Sequence, residues 1–173
     1  LITLEELHRI YPYAGKRADT FIDPLNDAMA EFDISPHVTR EMAFLAQIGH
    51  ESGQLRYVQE IASGAAYEGR KDLGNTEPGD GVRFKGRGLI QVTGRANYAK
   101  CGDALSLPLL EQPELLEMPR HACRSAAWFW KSRGLNELAD KGDFKLITKR
   151  INGGFNGYAD RLAVFNRAQQ VLA

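Results

Sequence analysis

The stretch AQIGHESGQL, Ala46 to Leu55, ends an apolar helical face with an ionisable pair, His50 and Glu51, and then breaks the backbone at Ser52 and Gly53. Toward the N-terminus, Val38, Met42, Leu45 and Ile48 recur at helical steps, with Ser35 as N-cap and Pro36 in the first turn. A helix through these residues delivers His50 and Glu51 to its end. Further out, Thr3 and Glu6 form a capping-box pattern around Leu4, Leu7 and Ile10, and Leu25, Ala28, Met29 and Phe32 predict a helix from about Pro24 to Phe32. On the other side of the break, glycine, proline and charge dominate from Ser63 to Gly88. A loop of that length inside a domain points to binding. LIQVTG, Leu89 to Gly94, reads as a short strand with Leu89, Gln91 and Thr93 on one face. Helices return in RHACRSAAWFWKSRG, closing on Gly134, in DFKLITKRINGG between Asp143 and Gly153, and in YADRLAVFNRAQQVLA. The expected class is mainly α, an α+β arrangement with one small β element.

At 173 residues the chain can bury one sizeable core and is short for two, so residues 1–173 read as a single domain. Lys plus Arg (22) equals Asp plus Glu (22), which neither advertises a nucleic-acid binder nor predicts attraction to an acidic surface. No apolar run approaches the roughly 20 residues that cross a bilayer, and no signal peptide is visible. The expectation is a soluble chain without stable membrane insertion. Cys101 and Cys123 lack neighbours at zinc spacing and are expected as buried, reduced thiols. HESGQ also lacks the second histidine of a metalloprotease helix, so no metal is expected.

Glu51 acquires a partner in Glu60, within LRYVQEIAS. Hydrolysis of a glycosidic bond commonly uses two carboxyl groups, and inverting enzymes hold them about 6.5–9.5 Å apart to leave room for water. On a continuous helix the nine-residue step would set these side chains roughly 13 Å apart on opposite faces. Ser52 and Gly53 let the helix stop, and Leu55 and Tyr57 alternate with Arg56 and Val58 as in a strand. The chain can then turn back and bring Glu60 across a cleft from Glu51. To donate a proton, Glu51 would need its pKa raised by an apolar wall and a neighbouring negative charge. Thr93, on the face of Gln91, can hold the attacking water, or it caps the helix that begins near Arg95.

With FLAQIGHESG, VQE, PGDGVRFKGRGLIQVTGRANY, RSAAWFW and INGGFNG in that order, the chain resembles glycoside hydrolase family 19, in particular its lysozyme-like phage and prophage endolysins. The resemblance implies a lysozyme-like helical domain with a small β element beside the cleft, and a single-displacement inverting mechanism without metal or cofactor. It puts the general acid on Glu51, the second carboxylate on Glu60, the water-holding hydroxyl on Thr93 and the family glutamine on Gln91. Asn97 and Asn152 match sugar-contacting positions, and Arg161 matches an arginine that supports the acidic pair. Glu68, in YEGR, is similar to a stretch of plant chitinases carrying the second acid, and is the rival base. Alternatively Glu68 pairs with Arg70 or Arg87 and orders the loop.

Tyr57, Tyr67 and Phe84 are candidates for stacking on sugar, while Trp128, Phe129 and Trp130 read as core. Arg83, Lys85, Arg87 and Arg95 form a cationic group, either a solvated face or an attractor for an anionic wall polymer. The activity implied is cleavage of peptidoglycan between N-acetylmuramic acid and N-acetylglucosamine. Chitin hydrolysis is the alternative, because the family spans both polymers; missing chitinase-type disulfide cysteines favour peptidoglycan. A non-catalytic cell-wall-binding module is a second alternative, and a nucleic-acid-binding domain has only the arginine group in its favour. The expected partner is the peptidoglycan glycan strand, cut by a monomer. The endolysin resemblance also implies residence in the host or bacterial cytoplasm until release to the periplasm or cell wall, with a separate holin-type permeabilising protein giving access.

Overall fold

Local capping decides several helices of the computed structural model, which describes residues 1–173. α1 (Leu4–Ile10) has the complete capping box: the Thr3 hydroxyl accepts from the Glu6 amide, and the Glu6 carboxylate accepts from the Thr3 amide. α2 (Arg17–Glu31) starts well before Pro24, which lies inside it. Buried Ala18, Phe21, Leu25, Ala28 and Met29 continue one stripe across the proline, so packing of that face outweighs the lost amide. α3 (Val38–Glu51) ends at the expected His50 and Glu51. Its N-cap is His37 and not Ser35, whose hydroxyl instead donates to the buried Glu41 carboxylate at 2.5 Å.

After α3 the backbone turns left-handed at Gly53, Gln54 and Leu55, with φ of +59°, +55° and +71°. This run reverses the chain where a strand is expected. The Tyr57 amide returns to the Ser52 carbonyl at 2.9 Å, Leu55 is buried, and Gln54 accepts from the Tyr13 amide at 2.8 Å. The strand expected for Leu89–Gly94 is likewise a tight turn. Arg87 and Val92 exchange backbone hydrogen bonds across it, and both Leu89 and Ile90 are buried. Gly88 sits where a Cβ would fall 2.6 Å from Ser125 Oγ, so the turn can pack closely on the next helix layer. The β element beside the site consists of two isolated bridges, Gln59 with Arg87 and Arg87 with Val92.

The glycine-rich segment is a built lobe: 3₁₀ turns at Ala65–Tyr67 and Lys71–Leu73, then α4 (Asp80–Arg83). Arg95, the first residue of α5 (Arg95–Leu105), reaches back with two bonds to buried Asp80. That bond holds the Asp80 carboxyl below its usual range. Phe84, Val92, Tyr98, Cys101 and Leu105 fill the lobe's own small core. α6 (Pro119–Ser132) and α7 (Leu135–Asp140) follow, then α8 (Phe144–Asn152), capped by Asp143 and ended by Gly153 at φ +79°. α9 (Tyr158–Leu172) lies against α3, and Trp130 of α6 meets Phe44 of α3 edge-on at 5.4 Å. Both cysteines are buried and unpaired; burial pushes the Cys101 thiol up to about 12 and Cys123 well above its ordinary value. No helix is long and apolar enough to cross a membrane.

Candidate active site

The end of α3 faces the start of α9, and two adjacent residues on one meet two adjacent residues on the other. His50 Nδ1 lies 2.7 Å from Asp160 Oδ2, and Arg161 Nη1 lies 2.8 Å from Glu51 Oε1. Arg161 is only 1% exposed and uses its other capacity on the Gln47 side-chain oxygen (2.7 Å) and the Asn156 carbonyl (3.1 Å). The Glu51 side chain is 26% exposed, so one side of its carboxylate is anchored and another is open to a ligand. Where an apolar wall is expected against Glu51, the structure supplies a buried cation. Gly157 makes this approach possible, because a Cβ there would fall 2.3 Å from the His50 ring. Asn152, exposed at the end of α8, accepts from the Asn156 amide at 3.2 Å and shapes the same loop.

Glu60 is held by the lobe. Its Oε1 accepts from the Gly86 amide at 2.6 Å and its Oε2 from the Tyr67 hydroxyl at 3.0 Å. Backbone pairing of the Glu60 amide with the Gly86 carbonyl, 2.9 Å, fixes the same position. Burial, then the hydrogen bond to Glu60, raises the Tyr67 phenol, which keeps it a donor. Tyr67 thus orients a carboxylate. Tyr57, expected to stack on sugar, is 36% exposed and packs beside Gly53 at the chain reversal.

Gln91 lies against Gly86, where a Cβ would meet its side-chain oxygen at 2.6 Å. Gln91, Thr93 and Asn97 share one depression with Trp128, Phe129 and Arg133. The Thr93 hydroxyl makes no hydrogen bond within the chain, and the cap of α5 is Gly94, without a side-chain bond. Asn97 donates to the Thr93 carbonyl at 2.8 Å, so the capping role falls away and the hydroxyl is free. Trp128 and Phe129 are half-buried around this depression; of the three aromatics read as core, only Trp130 is fully so. The available sign was that Trp128 falls off the α6 stripe of Ala122, Ala126 and Trp130.

Other expectations need correction. Glu68 pairs with neither Arg70 nor Arg87: its two oxygens accept from the Gly79 and Gly81 amides at 2.9 and 2.8 Å, at the start of α4. It orders the lobe through backbone. Arg70 binds Asp72, and Arg87 binds Glu117. Phe84 is fully buried and cannot stack on a ligand. Of the cationic group, Arg87 pairs with Glu117 and Arg95 with Glu77 and Asp80, while Arg83 donates to the Leu110 and Glu111 carbonyls and Lys85 to the Glu60 carbonyl, and neither of these two forms an ion pair.

The sequence profile of glycoside hydrolase family 19, described as Chitinase class I, matches residues 24–141. The chain belongs to this family. The family 19 match takes in Glu51, Glu60, Gln91, Thr93 and Asn97, while Asn152 and Arg161 lie beyond it. An Arabidopsis thaliana endochitinase is 40% identical over 131 residues, covering 75% of this chain and 45% of that protein. A glycosyl hydrolase family 19 domain-containing protein of Haemophilus influenzae is 28% identical over 196 residues, covering 95% of this chain and 94% of that one. The chain spans about half the length of the plant enzymes it matches, 45% of one and 53% of another. Chitinase C of Streptomyces griseus shares the fold, with a TM-score of 0.82 at 24% identity over 99% of this chain and 76% of that one. A second bacterial family 19 chitinase superposes with a TM-score of 0.83 at 22% identity, covering 99% and 95%.

Proposed function

We propose that this family 19 chain is a peptidoglycan hydrolase of the endolysin type, cutting the β-1,4 bond between N-acetylmuramic acid and N-acetylglucosamine by a single inverting displacement. The observation that carries the chemistry is the contrasting support of two carboxylates. Glu51 rests on the buried Arg161 guanidinium with an open side, and Glu60 is aimed by Tyr67 and the Gly86 amide. Glu51 gives its proton to the leaving oxygen as the glycosidic bond breaks, and Arg161 supports the carboxylate left behind. Glu60 takes a proton from a water held by the Thr93 hydroxyl, and that water bonds to the anomeric carbon from the opposite face. Gln91, Asn97, Asn152 and Tyr57 contact the flanking sugars. Side chains supply every step.

The endolysin-type motifs support peptidoglycan as substrate. Release from the cytoplasm with the help of a holin-type permeabilising protein belongs to the same reading. Chitin hydrolysis is the second reading, favoured by the endochitinase relatives. To decide, the chain and its Glu51→Gln variant are incubated with purified peptidoglycan and with chitin oligosaccharide, and new ends are reduced with borohydride and identified by mass spectrometry. Reduced muramitol ends, made only by the parent, support the muramidase. Cleavage confined to chitin replaces it with the second reading, and saccharide binding without any product makes the chain a non-catalytic module.

A further inference from the structure

A second basic surface lies on α8. Between Lys141 and Asn152 the chain carries Lys141, Lys145, Lys149 and Arg150 against one acid, Asp143, in a sequence of zero net charge. Asp143 is occupied as the N-cap of α8, where it accepts from the Leu146 amide. Lys145 and Lys149 stand one turn apart on the exposed side of α8, with Asn152 three residues on along the same face. Neither lysine forms an ion pair; of the acids on flanking elements, Asp140 is held by Arg40 and Asp160 by His50, and Glu137 of α7 lies on the side of Gly134 and Arg150. Like charges at this spacing disfavour each other. Phe155, 46% exposed, adjoins the surface with its ring centroid 5.2 Å from Lys145 Nζ. The next residue, Asn156, accepts from the same guanidinium that holds Glu51.

We propose that this face of α8, made by Lys145, Lys149 and Phe155, binds the carboxylates of the stem peptide borne by a muramic acid residue of the glycan strand in the cleft. It rests on the reading of the chain as a peptidoglycan hydrolase, and names the part of that substrate which chitin lacks. Chitin is uncharged along its length and offers nothing to two unpaired ammonium groups. A stem peptide presents free carboxylates beside the sugar, and its aliphatic side chains suit the Phe155 ring and the lysine methylenes. Exposed ion pairs are weak and screened by salt, so the surface adds salt-sensitive affinity for the substrate and takes no part in the chemistry.

The test measures co-sedimentation of the inert Glu51→Gln chain with insoluble peptidoglycan, either intact or stripped of stem peptides by an amidase. Adding Lys145→Gln with Lys149→Gln should weaken binding to intact material about five-fold at low salt, the scale of two exposed ion pairs. Binding to stripped strands should not change, and Lys145→Arg with Lys149→Arg should restore the affinity. Equal loss on both materials, or no loss on intact material, overturns the assignment. Hydrolysis by the parent is scored separately. Cleavage of chitin alone, with the peptide-dependent difference still present, rejects the hydrolase reading and keeps the surface; muramitol ends without that difference do the reverse.

Discussion

Arg161, buried at the start of α9, lies 2.8 Å from Glu51 at the end of α3, and the residues just before each, Asp160 and His50, pair at 2.7 Å. Two adjacent links between helix ends fix both the position and the direction of the Glu51 carboxylate. Arg161→Met strips Glu51 of its partner and leaves the Gln47 oxygen and the Asn156 carbonyl without that donor. Breaking a buried pair from one side costs about 3 kcal/mol. Urea unfolding should register that loss together with the loss of turnover. Glu51→Gln removes the counter-charge but still offers Arg161 an acceptor, so its stability loss should be smaller than that of Arg161→Met while turnover disappears.

Gly157→Ala tests whether the placement of His50 matters to Glu51. Alanine at φ +70° carries a backbone penalty of about 1–2 kcal/mol and also drives a Cβ into the imidazole. Gly142 is the control, with φ +73° and nothing within 4 Å of a Cβ. Both alanine variants should lose similar backbone stability, but only Gly157→Ala should lose kcat, by roughly 100-fold for a displacement near 1 Å. Equal kcat in the two variants would detach His50 from the site.

Thr93→Val removes a hydroxyl that bonds nothing in the chain. Stability should stay within about 0.5 kcal/mol of the parent. The kcat should fall by about ten-fold or more, with KM little changed, because only the attacking water loses its support. Tyr67→Phe should act on kcat in the same direction by releasing one oxygen of Glu60. Steady-state kinetics on both variants checks this.

The same ion pairs set the pH range of the fold. Hydrogen bonds from arginines lower the carboxyls of Asp80, Glu31 and Asp140. A depressed carboxyl contributes stability above its unfolded value, which is lost as pH falls through the folded one, so stability should decline below about pH 4. Cys101 goes the other way, from 9.0 unfolded to about 12 folded. Its contribution is complete below pH 9 and is lost as pH rises through about 12. Urea midpoints should therefore be flat between about pH 5 and 9 and fall on both sides, with the acid limb shallower in Asp80→Asn.

Features decided within a few residues were legible in the sequence. The Thr3–Glu6 box, the Asp143 cap, the Gly153 stop and the delivery of Glu51 to a helix end all depend on neighbours no more than one turn away. Pro24 misled because the stripe from Ala18 to Met29 is held by packing against α6, which outweighs one lost bond. The alternation in LIQVTG misled because Leu89 and Ile90 are both buried by a turn that packs on Ser125. The partners of the arginines were not legible because they lie far along the chain, as with Arg87 and Glu117 or Arg83 and Leu110. Arg161 stands 110 positions from Glu51, and no local pattern joins them; only the family resemblance pointed to it. The open lysines of α8 escaped for a related reason, since a charge can be seen to be unpaired only once the other charges have found their partners.

The most direct measurement follows the anomeric configuration of the first product by proton NMR as the chain cuts a β-1,4-linked substrate. Attack by water from the face opposite the leaving group, with Glu60 as base and Glu51 as acid, predicts the α-anomer first, followed by slow mutarotation. Initial release of the β-anomer would mean retention at the anomeric carbon, and would contradict the roles assigned to Glu60 and Thr93.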